Sequence, residues 1–138
     1  MVSIVIDASA ALAWCFSDER TPESAALLDY VSVNGAKVPQ IWSLEVANAL
    51  IVGQLRNRIT EADASEQLEN FNHLPIKIDG LTASMAWPGI LSLARQHRLT
   101  TYDASYIELA LRSQQPLATR DTAMIAAAKK LNVEILQF

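Results

Sequence analysis

Hydrophobic and polar residues alternate along the chain in two kinds of block: short apolar runs and longer stretches of helical period. Val2 to Ile6 is apolar, largely β-branched and almost without polar alternation, which predicts a strand buried on both faces. It passes straight into Asp7 and then the small residues Ala8 and Ser9. Further short strands are predicted at Lys37-Val38, ended by Pro39, and at Pro75 to Ile78, closed by Asp79-Gly80. Pro116 to Thr119 and Val133 to Leu136 complete the set.

Helical segments fill the intervals. Ala8 to Phe16 starts a helix, and Ser17 to Arg20 is a polar break. Thr21-Pro22-Glu23 combines an N-cap, a proline at the first helical position and an acid in the first turn, and Asn34-Gly35 gives a left-handed stop after about Val33. From Gln40 to Arg56, Trp42, Val46, Ala49 and Leu50 share a helical face, with Ile41, Leu44 and Leu55 nearby. Thr60 caps a more polar helix over Glu61 to Asn72. Thr82 to His97 is mostly helical, with a kink or a late start expected at Trp87-Pro88-Gly89. Helices over Thr101 to Ser113 and Asp121 to Leu131 follow. This order argues for an α/β fold with a parallel sheet and helices on both faces. If the first strand is central, Asp7 stands at its C-terminal tip, where the winding changes direction and ligand sites of such sheets gather.

The 138 residues suit one domain with one core, and 51% apolar content fills that core with some left for an interface. A net charge of -4 argues against a generally basic nucleic-acid coat and leaves room for a local basic patch. The single cysteine, Cys15, cannot form an internal disulfide. No basic leader precedes the first apolar run, and no run approaches the roughly 20 residues that span a bilayer. A reducing, cytoplasmic setting is the expectation.

Acids carry the candidate chemistry. Asp7, Asp103 and Asp121 each stand at a helix start, where capping accounts for any one of them singly. Glu45 is harder to account for by capping. It lies between Leu44 and Val46 on a stripe with Ile41, Asn48 and Val52; an unpaired carboxylate there is costly if the stripe faces the core, and ordinary if it is a partly exposed flank. Asp7 and Asp121 follow different strands of one parallel sheet and emerge at the same edge. Converging carboxylates take up protons unless a cation neutralises them, and hard oxygen ligands suit Mg²⁺ or Mn²⁺. Two such metals about 3.5–4 Å apart are the usual device for in-line phosphodiester hydrolysis.

Other chemistries lack parts. Four glycines form no phosphate loop, Cys15 sits in an apolar setting suited to packing, and no nucleophile elbow is present. His73 and His97 stand beside polar loop ends without visible ligand partners.

With these acids in place the chain resembles PIN-domain proteins, and within them the VapC-type toxin ribonucleases, over essentially residues 1–138 as a single domain. The resemblance rests on Val5-Ile6-Asp7-Ala8-Ser9-Ala10, on the block from Val38 to Leu50 around Glu45, on Leu99 to Ala110 around Asp103, and on Leu117-Ala118-Thr119-Arg120-Asp121. It implies a three-layer α/β/α sandwich with a short-stranded, mostly parallel central sheet. It implies a Mg²⁺- or Mn²⁺-dependent endoribonuclease in which Asp7, Glu45, Asp103 and Asp121 are the acidic cluster. Asp7 and Asp103 would bind metal directly, and Glu45 and Asp121 through water or at a second metal. Ser9, Asn48 and Thr119 match small polar positions around the site, although a helix cap explains Ser9 and Thr119 as well, and a polar flank explains Asn48. A homodimer and a VapB-like antitoxin are implied as partners.

Candidate RNA contacts are Arg56 and Arg58, Arg95 and Arg98, and Arg120; an ordinary solvated surface charge accounts better for most of them, with Arg120, beside Asp121, the exception. Two rival readings remain. A receiver-type phosphoacceptor also has an acid-lined Mg²⁺ site at strand ends, but it needs an acid pair and a nearby lysine that this chain does not offer. A PIN-like module that only binds RNA or protein would not need all four acids.

Overall fold

The computed structural model describes residues 2–138. Its centre is a parallel sheet of five strands: β1 (Ile4–Ile6), β2 (Ala36–Pro39), β3 (Ile76–Asp79), β4 (Leu117–Ala118) and β5 (Ile135–Leu136). They lie in the order β3-β2-β1-β4-β5. Val5 is opposite Lys37 on one side and Leu117 on the other, so β1 is central, and Ile4, Val5 and Ile6 are fully buried. Burial on both faces is the reason this run lacks polar alternation. Val2, expected in the strand, is exposed and precedes it. Pro39, expected to end β2, belongs to it and lies opposite Asp79.

The helices are α1 (Ala8–Cys15), α2 (Pro22–Asn34), α3 (Trp42–Leu55), α4 (Glu61–Asn72), α5 (Thr82–Met85), α6 (Leu91–His97), α7 (Thr101–Ser113) and α8 (Thr122–Lys130). Right-handed crossovers put α1–α4 on one face of the sheet and α5–α8 on the other. On the first face α1 packs against β1, α2 and α3, with Phe71 of α4 against Trp14 and Trp42. On the second, α7 packs against β1, β2 and β4. The result is the three-layer α/β/α arrangement expected.

Local chemistry sets the boundaries. Thr21 and Ser24 form a reciprocal capping box at α2, and Thr60 caps α4. Gly35 follows α2 with φ +82°, and a Cβ there would stand 3.1 Å from the Pro75 carbonyl oxygen. Between α5 and α6 the expected disturbance is a π-helical turn, Ala86–Ile90, which absorbs Pro88 without ending the helical path. On α3, Trp42, Val46 and Leu50 are buried as expected, but Leu44 and Leu55 are 73% and 80% exposed. They lie on the far side of the helix from the Trp42 stripe.

Candidate functional site

The winding runs from β1 to β2 to β3 and then crosses back to β4 on the other side of β1. The reversal therefore falls between β1 and β4, and Asp7 and the segment Thr119–Asp121 flank it at the strands' C-terminal ends. Asp7 is 6% exposed and caps α1. Its Oδ1 accepts from the Ser9 backbone N–H at 3.0 Å and from the Ser9 hydroxyl. Its Oδ2 accepts from the Thr119 hydroxyl. Ser9 Oγ in turn accepts from the Arg120 N–H at 3.2 Å, and Thr119 Oγ1 accepts from the Asp121 N–H at 3.1 Å. Ser9 and Thr119, for which capping was the competing explanation, thus cap nothing themselves. They clamp the two loop ends together around Asp7.

Asp121 caps α8 through its Oδ1, which accepts from the Met124 N–H at 2.8 Å. Asp103 is not the cap of its helix, as its position at a helix start had suggested. Thr100 is the cap, accepting the Asp103 N–H at 3.1 Å, which leaves the half-buried Asp103 carboxylate without capping duty. Glu45 lies in the first turn of α3 on a flank rather than in the core: it is half-buried, Val52 and Asn48 of the same stripe are exposed, and Asn48 is about one turn away. Its Oε1 accepts from the hydroxyl of Tyr106 on α7.

All four carboxylates thus sit at helix N-termini, two as caps and two in first turns. The partial positive charge there favours an anion and helps to hold acids at one end of the sheet. Among the described residues none of the four pairs with a lysine, arginine or histidine, whereas Asp79 and Glu108 elsewhere share Arg112. Burial pushes the Asp7 carboxyl above the usual carboxylate range, against its Ser9 and Thr119 hydrogen bonds. Burial likewise raises Glu45, with Asp103 and Asp7 adding to the rise. Burial and then Asp121 raise Asp103. The mutual effects show that these acids feel one another's charge.

An all-oxygen, anionic, uncompensated donor set fits a hard divalent cation in its chemistry. Among the described residues no three His, Cys, Asp or Glu side chains stand close enough together to hold a metal ion in common. To share one, the carboxylates would have to draw inward.

The arginines divide. Arg120 points its guanidinium away from the site, at the Phe138 carbonyl (3.0 Å), the Glu19 carbonyl (3.1 Å) and Thr21 Oγ1 (3.4 Å), and stacks on the Phe138 ring. It meets the site only through its backbone. Arg58 bonds Asp18 and Glu19 and covers Phe16. Arg56, Arg95 and Arg98 are exposed. The bond from Tyr106 to Glu45 is not foreseen by the sequence. The available signal was the spacing of Tyr106, three residues after Asp103 and so on the same side of α7.

A family model described as PIN domain matches residues 4–130. No curated protein matches. Among solved structures, PAE2754 from Pyrobaculum aerophilum superposes with a TM-score of 0.71 at 23% identity, covering 98% of this chain and 90% of that one. A chain of the VapBC2 complex from Rickettsia felis, bound to a DNA fragment from their promoter, gives 0.69 at 12% identity, with 100% and 99% covered. FitAcB from Neisseria gonorrhoeae gives 0.63 at 17% identity, with 96% of each chain covered. At these identities the likeness speaks for the fold.

Proposed function

The chain belongs to the PIN domain family, and on that premise we propose that it is a Mg²⁺- or Mn²⁺-dependent endoribonuclease, the VapC-type toxin of a type II toxin–antitoxin pair, with residues 1–138 as one such domain. The observation that carries the reading is that Asp7 and Asp121 flank the β1–β4 reversal, Glu45 and Asp103 feel their charge, and none of the four has a basic partner among the described residues. Membership of the family speaks against the receiver-type alternative.

In this reading Asp7 and Asp103 hold the cation directly, and Glu45 and Asp121 hold it through water or at a second position. A bound divalent cation polarises the phosphate and makes water a better nucleophile at neutral pH. The protein supplies orientation. Ser9 and Thr119 fix both oxygens of Asp7, so its remaining lone pairs have set directions. Glu45, engaged at Oε1, keeps Oε2 to bind or to accept the proton of the attacking water. Solved complexes of the same fold with antitoxins support a VapB-like partner. Exposed Leu44, Ile51 and Leu55 on α3 leave apolar surface for such a partner or a second protomer. A cytoplasmic setting accords with the lack of any helix, among the described residues, long and apolar enough to cross a membrane.

The test is cleavage of a mixed cellular RNA pool by the purified protein, with Mg²⁺, with Mn²⁺, with a chelator, and with Asp7→Asn. Asn also caps helices well, so this variant should keep its fold. Cleavage that needs both the metal and Asp7 is expected. An Asp7→Asn protein as active as the parent would sink the site assignment. A folded parent that binds Mn²⁺ and cuts no RNA would favour the binding-only module.

A further inference from the structure

One polar contact at the site has no part in the scheme above beyond filling an oxygen. Tyr106 lies about one turn past Asp103 on α7 and is 1% exposed. A buried tyrosine hydroxyl needs an acceptor, and here it donates across to Glu45 Oε1 on α3. Glu45 has no lysine or arginine beside it among the described residues, so this phenol is its tie to the second face of the sheet. A glutamate has several rotatable bonds and loses much freedom when held. A single donor at a known oxygen removes most of that freedom.

We propose that Tyr106 is a positioning residue of the site: its hydroxyl fixes Glu45 by Oε1 and leaves Oε2 directed to the cation and the attacking water. The inference rests on the nuclease reading. Because Asp103 and Tyr106 share α7, one helix sets both the Asp103 carboxylate and the orientation of Glu45. The register of α3 against α7 thereby becomes part of the site. Phenylalanine fills nearly the same volume, so Tyr106→Phe deletes one oxygen and keeps the ring.

The experiment compares the parent, Tyr106→Phe, Glu45→Gln and the double variant. Mn²⁺ affinity is read by titration with detection of free Mn²⁺ by electron paramagnetic resonance. RNA cleavage gives kcat and KM, and melting is followed in chelator. Partners that orient metal ligands typically matter about 10–100-fold in affinity or activity. Tyr106→Phe should therefore weaken Mn²⁺ binding or lower kcat about tenfold or more, with KM for RNA unchanged. In the Glu45→Gln background the same change should do nothing further, because Tyr106 acts through Glu45. Mn²⁺ affinity reports this even if Glu45→Gln no longer cleaves. A Tyr106→Phe protein that binds Mn²⁺ and cleaves like the parent overturns the proposal. So does an equal loss in both backgrounds, which would mark a packing role. Failure of the nuclease reading itself shows in the parent, as neither Mn²⁺ binding nor cleavage, and takes the positioning role with it.

Discussion

Asp7 performs two tasks with one carboxylate. It caps α1 and stands at the β1–β4 reversal, and the clamp of Ser9 and Thr119 keeps the same oxygens in place for both. That Asp7 and Asp121 start helices was legible from Asp followed by small or polar residues. Thr119 is placed beside the site only by the resemblance and Tyr106 not at all, because Thr119 and Asp7 are 112 residues apart and Tyr106 and Glu45 are 61 apart. No local pattern encodes such pairs. Cys15 shows the opposite case, a residue whose apolar surroundings in sequence were enough. It is buried, and burial pushes its thiol up to about 11. At pH 7.5 a thiol-reactive chromogenic disulfide should leave Cys15 unmodified in the native protein and titrate it fully in denaturant. Rapid labelling of the native protein would contradict the packing described.

At the scale of elements, all five strands stand where short apolar runs bounded by turn residues placed them. Glu61–Asn72 and Thr101–Ser113 match their predicted spans residue for residue. The disturbance expected at Trp87-Pro88-Gly89 is the π-turn at Ala86–Ile90, which lets the path continue. The failures are local and physical. Leu44 and Leu55, expected near the Trp42 face of α3, are exposed on its far side. Also unread was the link between β3 and α7, where Arg112 bonds Asp79 at 2.7 and 3.1 Å and Glu108 at 2.7 Å. Glu108 is buried, so removing the arginine strands a charge. Arg112→Ala should cost about 3–5 kcal/mol in denaturant unfolding at pH 7. The Asp79 carboxyl is held below its ordinary 3.8, chiefly by Arg112, so its contribution is present above that value and is lost as pH falls through the lowered one. The gap between parent and variant should therefore narrow in strongly acidic solution. A gap unchanged down to pH 2 would mean that the loss is packing alone.

For the whole molecule the acids act in two directions. Asp7, Glu45 and Asp103 have carboxyls raised above 3.8, 4.5 and 3.8. The folded state therefore binds their protons more tightly than the unfolded chain does. Their stabilising contribution is full below those ordinary values and is lost as pH rises through the raised ones. In chelator the melting temperature should climb as pH falls from 7 through the raised values towards the ordinary ones, then drop as pH falls through the lowered value of Asp79. Adding Mn²⁺ at pH 7 should recover the loss, by about 2.7 kcal/mol at 100 times its dissociation constant. Calorimetry with and without Mn²⁺ checks both. A metal-free melting temperature that only falls as pH is lowered from 7 to the ordinary carboxylate values would show that burial does not raise these carboxyls.

The position of β1 also has a consequence for the order in which the protein is made. The central strand and Asp7 leave the ribosome before β4, and the Thr119 hydroxyl follows 112 residues later. Until then β1 has β2 on one side and an open edge on the other, and Asp7 lacks half of its clamp. Long-range pairings of this kind form late in folding. A growing chain thus carries Asp7 without the partner that completes its clamp, and the site is whole only after β4 has been made.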